Sequence, residues 1–456
     1  VGILRTWYFI GFLNLYFWKK YKVQQMAHTL NGKKILIANV PTDGHFNPLT
    51  GLAKSLQDSG CDVRWYASII YAEKLKRLGI MQYPFVRAKE LNGNTLALKI
   101  PEITSATGTE KGKLYLKHLF IERAPEYVED IREIYQTFPF DVLIADSMFS
   151  AIPLVRHYLK VPVVAIGVVP LVEDSMDTAP AGRALPPAES NETRIAYADM
   201  YRQKYIGIKE LIRLYKALLQ RYQVKVTGSF IFDTLVKEAS IYLQIGLPDF
   251  EYKRTDLSKN IRYVGALLPQ STKENPAKWF DERLEQYDKV VLATQGTMEG
   301  DVTKLLEPTL NAFAGTDILL IITTGGRGTR SLRERYPQDN VIIEDFISFD
   351  DIMPHVSVYI TNGGYGGTML SITYGVPIVA AGVHELKNEV CARIDYFGLG
   401  IDLKTERPDA DEIFFAAQNV IEDRVFKQRV MEMREKLKKY DSIDLCLFYI
   451  SALLND

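Results

Sequence analysis

The chain has 456 residues, with 55 basic and 56 acidic side chains and a formal charge of −1 near neutral pH. Hydrophobic residues make up 47% and charged residues 24%, which excludes long disorder and collagen-like structure and leaves a globular protein of two or three domains. No basic field points to nucleic acid as a partner, and three distant cysteines (Cys61, Cys391, Cys446) form neither a CxxC pair nor a zinc spacing, as fits a reducing cytoplasm.

Residues 1–32 read as an extension ahead of the fold. Positions 7–18 are apolar and aromatic and lead into Lys19, Lys20 and Lys22. The run is interrupted by Asn14 and falls short of the roughly 20 apolar residues of a membrane span. No small-residue cleavage site follows to make it a signal peptide. Two readings stand. One is an interfacial segment giving weak membrane association through residues 1–25, with aromatics at the lipid boundary. The other, which is favoured, is upstream sequence translated from an alternative start, with Met26 as the true beginning.

From Lys33 onward, short apolar runs alternate with helical patterns, the signature of parallel sheets built from βαβ units. The first run is 34–39; the loop 41–48 follows, and then Leu49, Leu52, Ala53 and Leu56 recur at helical spacing. Further strands are expected at 62–66, 142–145 and 163–166. Residues 170–195, rich in Pro, Ala, Ser and Glu, read as a mobile loop, and helices are expected over 197–222 and 229–240. A polar linker is expected at 249–261. The α/β pattern then resumes, with strands at 290–293, 318–322, 341–343, 358–360 and 378–380, a charged helix near 424–439 and an apolar stretch at 443–454. The predicted fold is α/β: two Rossmann-like doubly wound domains, 33–248 and 262–430, facing a central cleft, with helices in 431–456 crossing back to the first domain. In such sheets ligands sit beyond the carboxyl ends of the strands.

The strongest motif follows the strand at 358–360: Asn362-Gly363-Gly364-Tyr365-Gly366-Gly367-Thr368. Four glycines let backbone approach a ligand closely, and a helix start offers unpaired N–H groups to phosphate oxygens. Thr368 supplies a hydroxyl. The bland alternative is a tight turn that packs a helix on a strand. Two weaker turns share the rim: Gln295-Gly296-Thr297, and a glycine turn carrying Arg327, a cation suited to phosphate.

Residues 362–388 resemble the donor-binding signature of family 1 glycosyltransferases, which use UDP-sugars or related nucleotide sugars. The glycine turn, Gly375-Val376-Pro377 and His384-Glu385-Leu386-Lys387-Asn388 follow the family's order, with matching spacing from the turn to Gly375 and a shortened approach to His384-Glu385, and the likeness extends over about residues 33–445. The resemblance implies a GT-B fold, a nucleotide-sugar donor, a small-molecule acceptor, no metal and no bound cofactor. It assigns donor contacts to Gln295, Gly296, Thr297, Arg327, Asn362, Gly363, Gly364, Gly366, Gly367, Thr368, Glu385 and Asn388, and a nucleobase platform to Phe346 and Ile347. Three positions depart from the pattern. The usual His at the head of the turn is Asn362, its usual Ser/Thr is Gly367, and the Glu that often holds ribose is Leu370.

In the first half, His45 lies in the loop after the first strand, between Gly44 and Phe46. Histidine titrates where a general base is useful. A lone His is more often a packing residue, but in the resembled family a His in this loop deprotonates the acceptor hydroxyl. Asp146, at the end of the strand at 142–145, is the carboxylate expected to orient it. Phe46, Met148 and Phe149 are expected to line the acceptor pocket. His118, His157 and His355 read as structural or exposed, and no HxxxH, DxD or Cys/His cluster suggests a metal.

The expected activity is an inverting hexosyl transfer from UDP-glucose to a flavonoid or other small, partly apolar acceptor, by a cytoplasmic monomer or homodimer. Two alternatives are carried: a non-catalytic nucleotide-sugar-binding protein and a sugar-nucleotide epimerase on the same fold. A dehydrogenase is disfavoured, since Gly44 is the only glycine in the first strand-end turn.

Overall fold

The computed structural model describes residues 29–92, 95–269, 278–296 and 299–455. Residues 1–28, and with them both readings of the opening segment, lie outside these residues; the end of the expected 1–32 extension does not stand ahead of the fold, since Leu30 is buried in the core of the first domain.

Two all-parallel sheets are present. The first contains β1 (Lys34–Ala38), β2 (Asp62–Ala67), β3 (Met81–Pro84), β4 (Val142–Asp146), β5 (Val163–Gly167), β6 (Ile241–Ile245) and β7 (Ile261–Gly265), in the order β3-β2-β1-β4-β5-β6-β7. The second contains β8 (Val290–Thr294), β9 (Leu319–Thr323), β10 (Val341–Glu344), β11 (Val358–Thr361), β12 (Ile378–Ala380) and β13 (Gly400–Asp402), in the order β10-β9-β8-β11-β12-β13. In β4, β5, β8 and β9 every residue is buried. Helices cover both faces of these strands, which therefore read as continuous apolar runs. β3, β6, β7 and β13 gave no such run because polar or exposed residues interrupt them, such as Gln244 in β6 and Arg262 in β7.

The strand order reverses between β1 and β4 in the first sheet and between β8 and β11 in the second. Connections on either side of such a switch point diverge and leave a crevice at the strand ends. His45 and Asp146 flank the first crevice; Gln295 and Asn362 flank the second.

Five helices position the site: α1 (Asp43–Asp58), α2 (Tyr365–Tyr374), α3 (Lys387–Tyr396), α4 (Arg424–Leu437) and α5 (Ser442–Asn455). α4 packs on α2 in the second domain, and α5 packs on α1, β6 and β7 in the first. The return to the first domain thus lies between Leu437 and Ser442, not at the expected boundary of 430/431, which falls inside α4. One apolar cluster runs through the interface, joining Leu49, Leu52 and Val264 to Met369, Ile372 and Cys446. All three cysteines are free and buried. Among the described residues, no helix is long and apolar enough to cross a membrane.

Two expectations are corrected. The segment 249–261 is no linker. β7 begins at its last residue and pairs with β6 in the first sheet, and Arg254 donates to the carbonyls of Glu173 (2.6 Å) and Leu171 (2.7 Å). The chain leaves the first sheet only after Gly265. The loop expected to be mobile over 170–195 is irregular but tied down. Asp177 accepts from Thr255 and Arg194, Glu173 accepts from Ser258, and the helix Asn191–Gly207 begins on a Ser190 cap. The helix expected over 197–222 is two, Asn191–Gly207 and Lys209–Arg221, joined at Ile208.

Candidate active site

β1 ends at Ala38, and the chain turns into α1, which places His45 in that helix's first turn at the switch point. Asp146 is the last residue of β4 and is fully buried. His45 Nδ1 lies 2.7 Å from Asp146 Oδ1. The backbone N–H of Met148 donates to the same oxygen (2.8 Å) and that of Val40 to Oδ2 (2.8 Å). A carboxylate accepts only, so Nδ1 carries the proton on this side, and in the neutral ring the lone pair is then on Nε2. The histidine side chain is 18% exposed and its partner 0%. The cleft therefore reaches the imidazole but not the carboxylate.

Successive helical residues point about 100° apart, and Phe46 faces away from the cleft. It is 1% exposed and stacks on Tyr71 with centroids 4.1 Å apart. Phe149 is fully buried against Tyr127, with centroids 4.6 Å apart, and Met148 is also buried. All three were expected to line the acceptor site; they are buried in the cores on the two faces of the first sheet.

On the second sheet the three small-residue turns converge. A Cβ at Gly325 would stand 3.7 Å from the Gly296 carbonyl oxygen, and one at Gly296 would stand 3.7 Å from Asn362 Nδ2. Asn362 donates that amide to the Gln295 carbonyl, tying the β8 and β11 turns together. Gln295 is 1% exposed, and its Oε1 has no partner among the described residues. Thr297 lies outside them. Gly363 has φ +77°, and a Cβ there would meet Cys391 Sγ at 2.4 Å, so only glycine fits. Gly364 caps α2, and the amides of Tyr365, Gly366 and Gly367 form its first turn, beyond reach of any carbonyl of that helix.

Thr368 corrects its expected role: it is buried, and its hydroxyl donates back to the Gly364 carbonyl (3.0 Å) rather than outward. Phe346 is 70% exposed, with its ring over Gly326, while Ile347 beside it is buried in the core. Arg327 folds beside Gly300. Leu370 packs on the apolar cluster of Leu284, Ile352 and Tyr359.

Glu385 is exposed and pairs with Lys387 (3.1 Å). Asn388, an expected donor contact, is engaged elsewhere: its amide donates to the Gly182 carbonyl of the first domain (2.7 Å). A small cavity is lined by Gln295, Lys304, Asn362, Lys387 and Glu406. There the hydrogen bond that Lys304 donates to Glu299 holds its ammonium above the usual range.

The two edges touch. α2 lies against α1, and the Tyr365 hydroxyl donates to the Ile245 carbonyl of the first sheet (2.7 Å). Gly246, at φ +101°, leaves room for that ring. The sequence reading passed over Tyr365, Lys304, Glu389 and Arg393. Tyr365 alone carried a signal, as a bulky phenol set among four glycines.

The profile described as "Erythromycin biosynthesis protein CIII-like, C-terminal domain" matches residues 307–440. The chain is 30% identical to 4'-demethylrebeccamycin synthase of Lentzea aerocolonigenes over 414 residues, covering 90% of this chain and 97% of that one. It is 28% identical to UDP-glucosyltransferase 1 of Beauveria bassiana, covering 90% and 94%. The crystal structure of the glycosyltransferase of kitacinnamycin superposes with a TM-score of 0.71 at 16% identity, covering 93% of this chain and 99% of that one.

Proposed function

The chain belongs to the family of UDP-glycosyltransferases and macrolide glycosyltransferases with the GT-B fold, and from that premise we propose that it transfers glucose from UDP-glucose to a hydroxyl of a small, partly apolar natural product such as a flavonoid or another phenol. The observation that carries the reading is the His45–Asp146 pair at 2.7 Å, set at the switch point opposite the glycine-rich start of α2.

In this reading His45 Nε2 takes the proton of the acceptor hydroxyl, and Asp146 stabilises the imidazolium that results. The acceptor oxygen attacks the anomeric carbon from the face opposite the diphosphate. The bond from that carbon to the phosphate oxygen breaks, and its electron pair leaves on UDP. An α-linked donor then gives a β-glycoside. The amides of Tyr365, Gly366 and Gly367 meet the charge that develops on the diphosphate, and the unpaired Gln295 Oε1 accepts from a donor hydroxyl. The role is filled by backbone dipoles, so the proposed reaction uses no metal.

The test mixes the protein with UDP-glucose and pooled phenols and reads added hexose by mass spectrometry, with and without EDTA, beside His45→Ala. Product from the parent in EDTA and none from a variant that still binds UDP is the expected result. Product from His45→Ala at the parent's rate would sink the base assignment. UDP binding with no turnover against any phenol or UDP-/dTDP-sugar would turn the reading towards a nucleotide-sugar sensor.

A further inference from the structure

We infer that Glu389 is a positioning residue that latches an acceptor-side strap of the first domain, residues 171–184, to the loop that carries the donor sugar contacts. The inference rests on the glycosyltransferase reading for its functional meaning and on the following geometry for its existence.

The strap leaves β5 next to the catalytic pair, where the Ser147 N–H donates to the Ile166 carbonyl (2.8 Å). It crosses to the second domain without regular structure, so its backbone groups need partners from elsewhere. Glu389 in the first turn of α3 supplies them: its Oε1 accepts both the Gly182 N–H (2.8 Å) and the Ala184 N–H (2.9 Å). Gly182 and Ala184 have φ of +93° and +54°. In that backbone shape nearby amides converge on a single anion, and for alanine it is strained. The neighbouring Asn388 donates to the Gly182 carbonyl (2.7 Å).

The other Glu389 oxygen pairs with Arg393 (3.0 Å), whose guanidinium also donates to Glu251 Oε1 of the first domain (3.0 Å from Nε) and lies 4.1 Å from the centroid of the Tyr252 ring. Glu251 Oε2 accepts the Leu171 N–H (3.1 Å) at the start of the strap. One buried arginine therefore joins two acids that hold the two ends of the strap. Buried ion pairs add little stability compared with apolar packing, and fixing one arrangement is among their attested uses.

The joint also reaches the donor side. Glu385 and Leu386, just before α3, both lie in the left-handed region, at φ +57° and +64°. Leu386 shares a cavity with Val172 and Ala181 of the strap and with Pro170 and Leu185 at its two ends. A displacement of the donor loop therefore displaces the strap.

Arg183, exposed between the two latched residues, offers a trypsin site. Glu389→Ala is expected to be cut there about tenfold faster than the parent, through local opening, with other sites unchanged. Its acceptor KM is expected to rise about tenfold, while the KM for UDP-glucose stays within about twofold. Glu389→Gln keeps an oxygen for both amides and is expected to restore slow cleavage to within about threefold. Cleavage of Glu389→Ala at the parent's rate would overturn the latch. Should that variant not fold, Asn388→Ala removes the second tie without unpairing Arg393, and parent-like cleavage there overturns it as well. UDP binding, measured by calorimetry on the same samples, reports on the donor reading separately, because proteolysis at Arg183 requires no turnover.

Discussion

In the proposed reaction, the end of the first sheet works through two side chains and the end of the second through backbone. His45 is held by a buried Asp146 whose two oxygens take three donors. The topologically equivalent edge of the second sheet presents Gly363, Gly364 and the free amides that open α2. Both sit at a switch point of a parallel sheet, so topology does not explain the contrast. The demands of the two ends of the proposed displacement do. A proton transfer needs one titratable group aimed at one atom. A departing diphosphate needs several donors at close range, and every Cβ there takes up space a phosphate oxygen would occupy. Side-chain substitution should therefore disable the first edge, and adding a methyl group should disable the second.

The largest effect is expected from Asp146→Asn. An amide cannot enforce the His45 tautomer, so kcat should fall on the order of 10³–10⁴-fold while UDP affinity by calorimetry stays the same. A loss under about tenfold would break the claim that the first edge works through this pair. Next comes Phe46→Ala, expected to cost ~3–5 kcal/mol in urea unfolding because the ring is core. Unchanged stability with a raised acceptor KM would return Phe46 to the acceptor pocket. Gly363→Ala combines strain at φ +77° with a Cβ 2.4 Å from Cys391 Sγ. It should cost about 1–3 kcal/mol and weaken UDP binding, since the turn must shift to admit the methyl group.

The joint between the edges should show in acid. Burial alone would raise the Glu251 carboxyl, but Arg393 and Arg254 outweigh it and hold it below the usual range. The folded value lies below the unfolded one of about 4.3. The stabilisation is thus complete above that pH and is lost as pH falls through the folded value. A Tm profile from about pH 6 to 3 should fall at its acid end, and less steeply in Glu251→Gln. The smallest effect is expected from Thr368→Val, which should shift UDP affinity by less than about twofold because the hydroxyl is already bonded within its helix. A tenfold loss would mean that a side chain, not only backbone, grips the phosphate.

Much of this was legible in the chain. Runs such as 142–145 and 290–293 are buried on both faces and had to be central parallel strands. The glycines at 363–367 marked a close approach of backbone, and the family resemblance together with their places at strand ends paired His45 with Asp146. Less legible was the direction of neighbouring side chains: Phe46 and Phe149 are adjacent in sequence to functional positions yet face the core. β7 was hidden because Arg262 and Tyr263 break its apolar run, so the segment before it read as a linker.

By itself the sequence determined the two-sheet architecture and the glycine turn, since periodicity and glycine content are properties of residues close along the chain, and its resemblance to a known family pointed to the histidine–aspartate pair. Only the tertiary structure decided that Thr368 turns inward, that Asn388 serves the domain interface, and that Glu389 holds amides 207 and 205 residues away. Which partner a buried polar group finds depends on the surfaces that packing brings together, and no local pattern records a contact between segments so far apart.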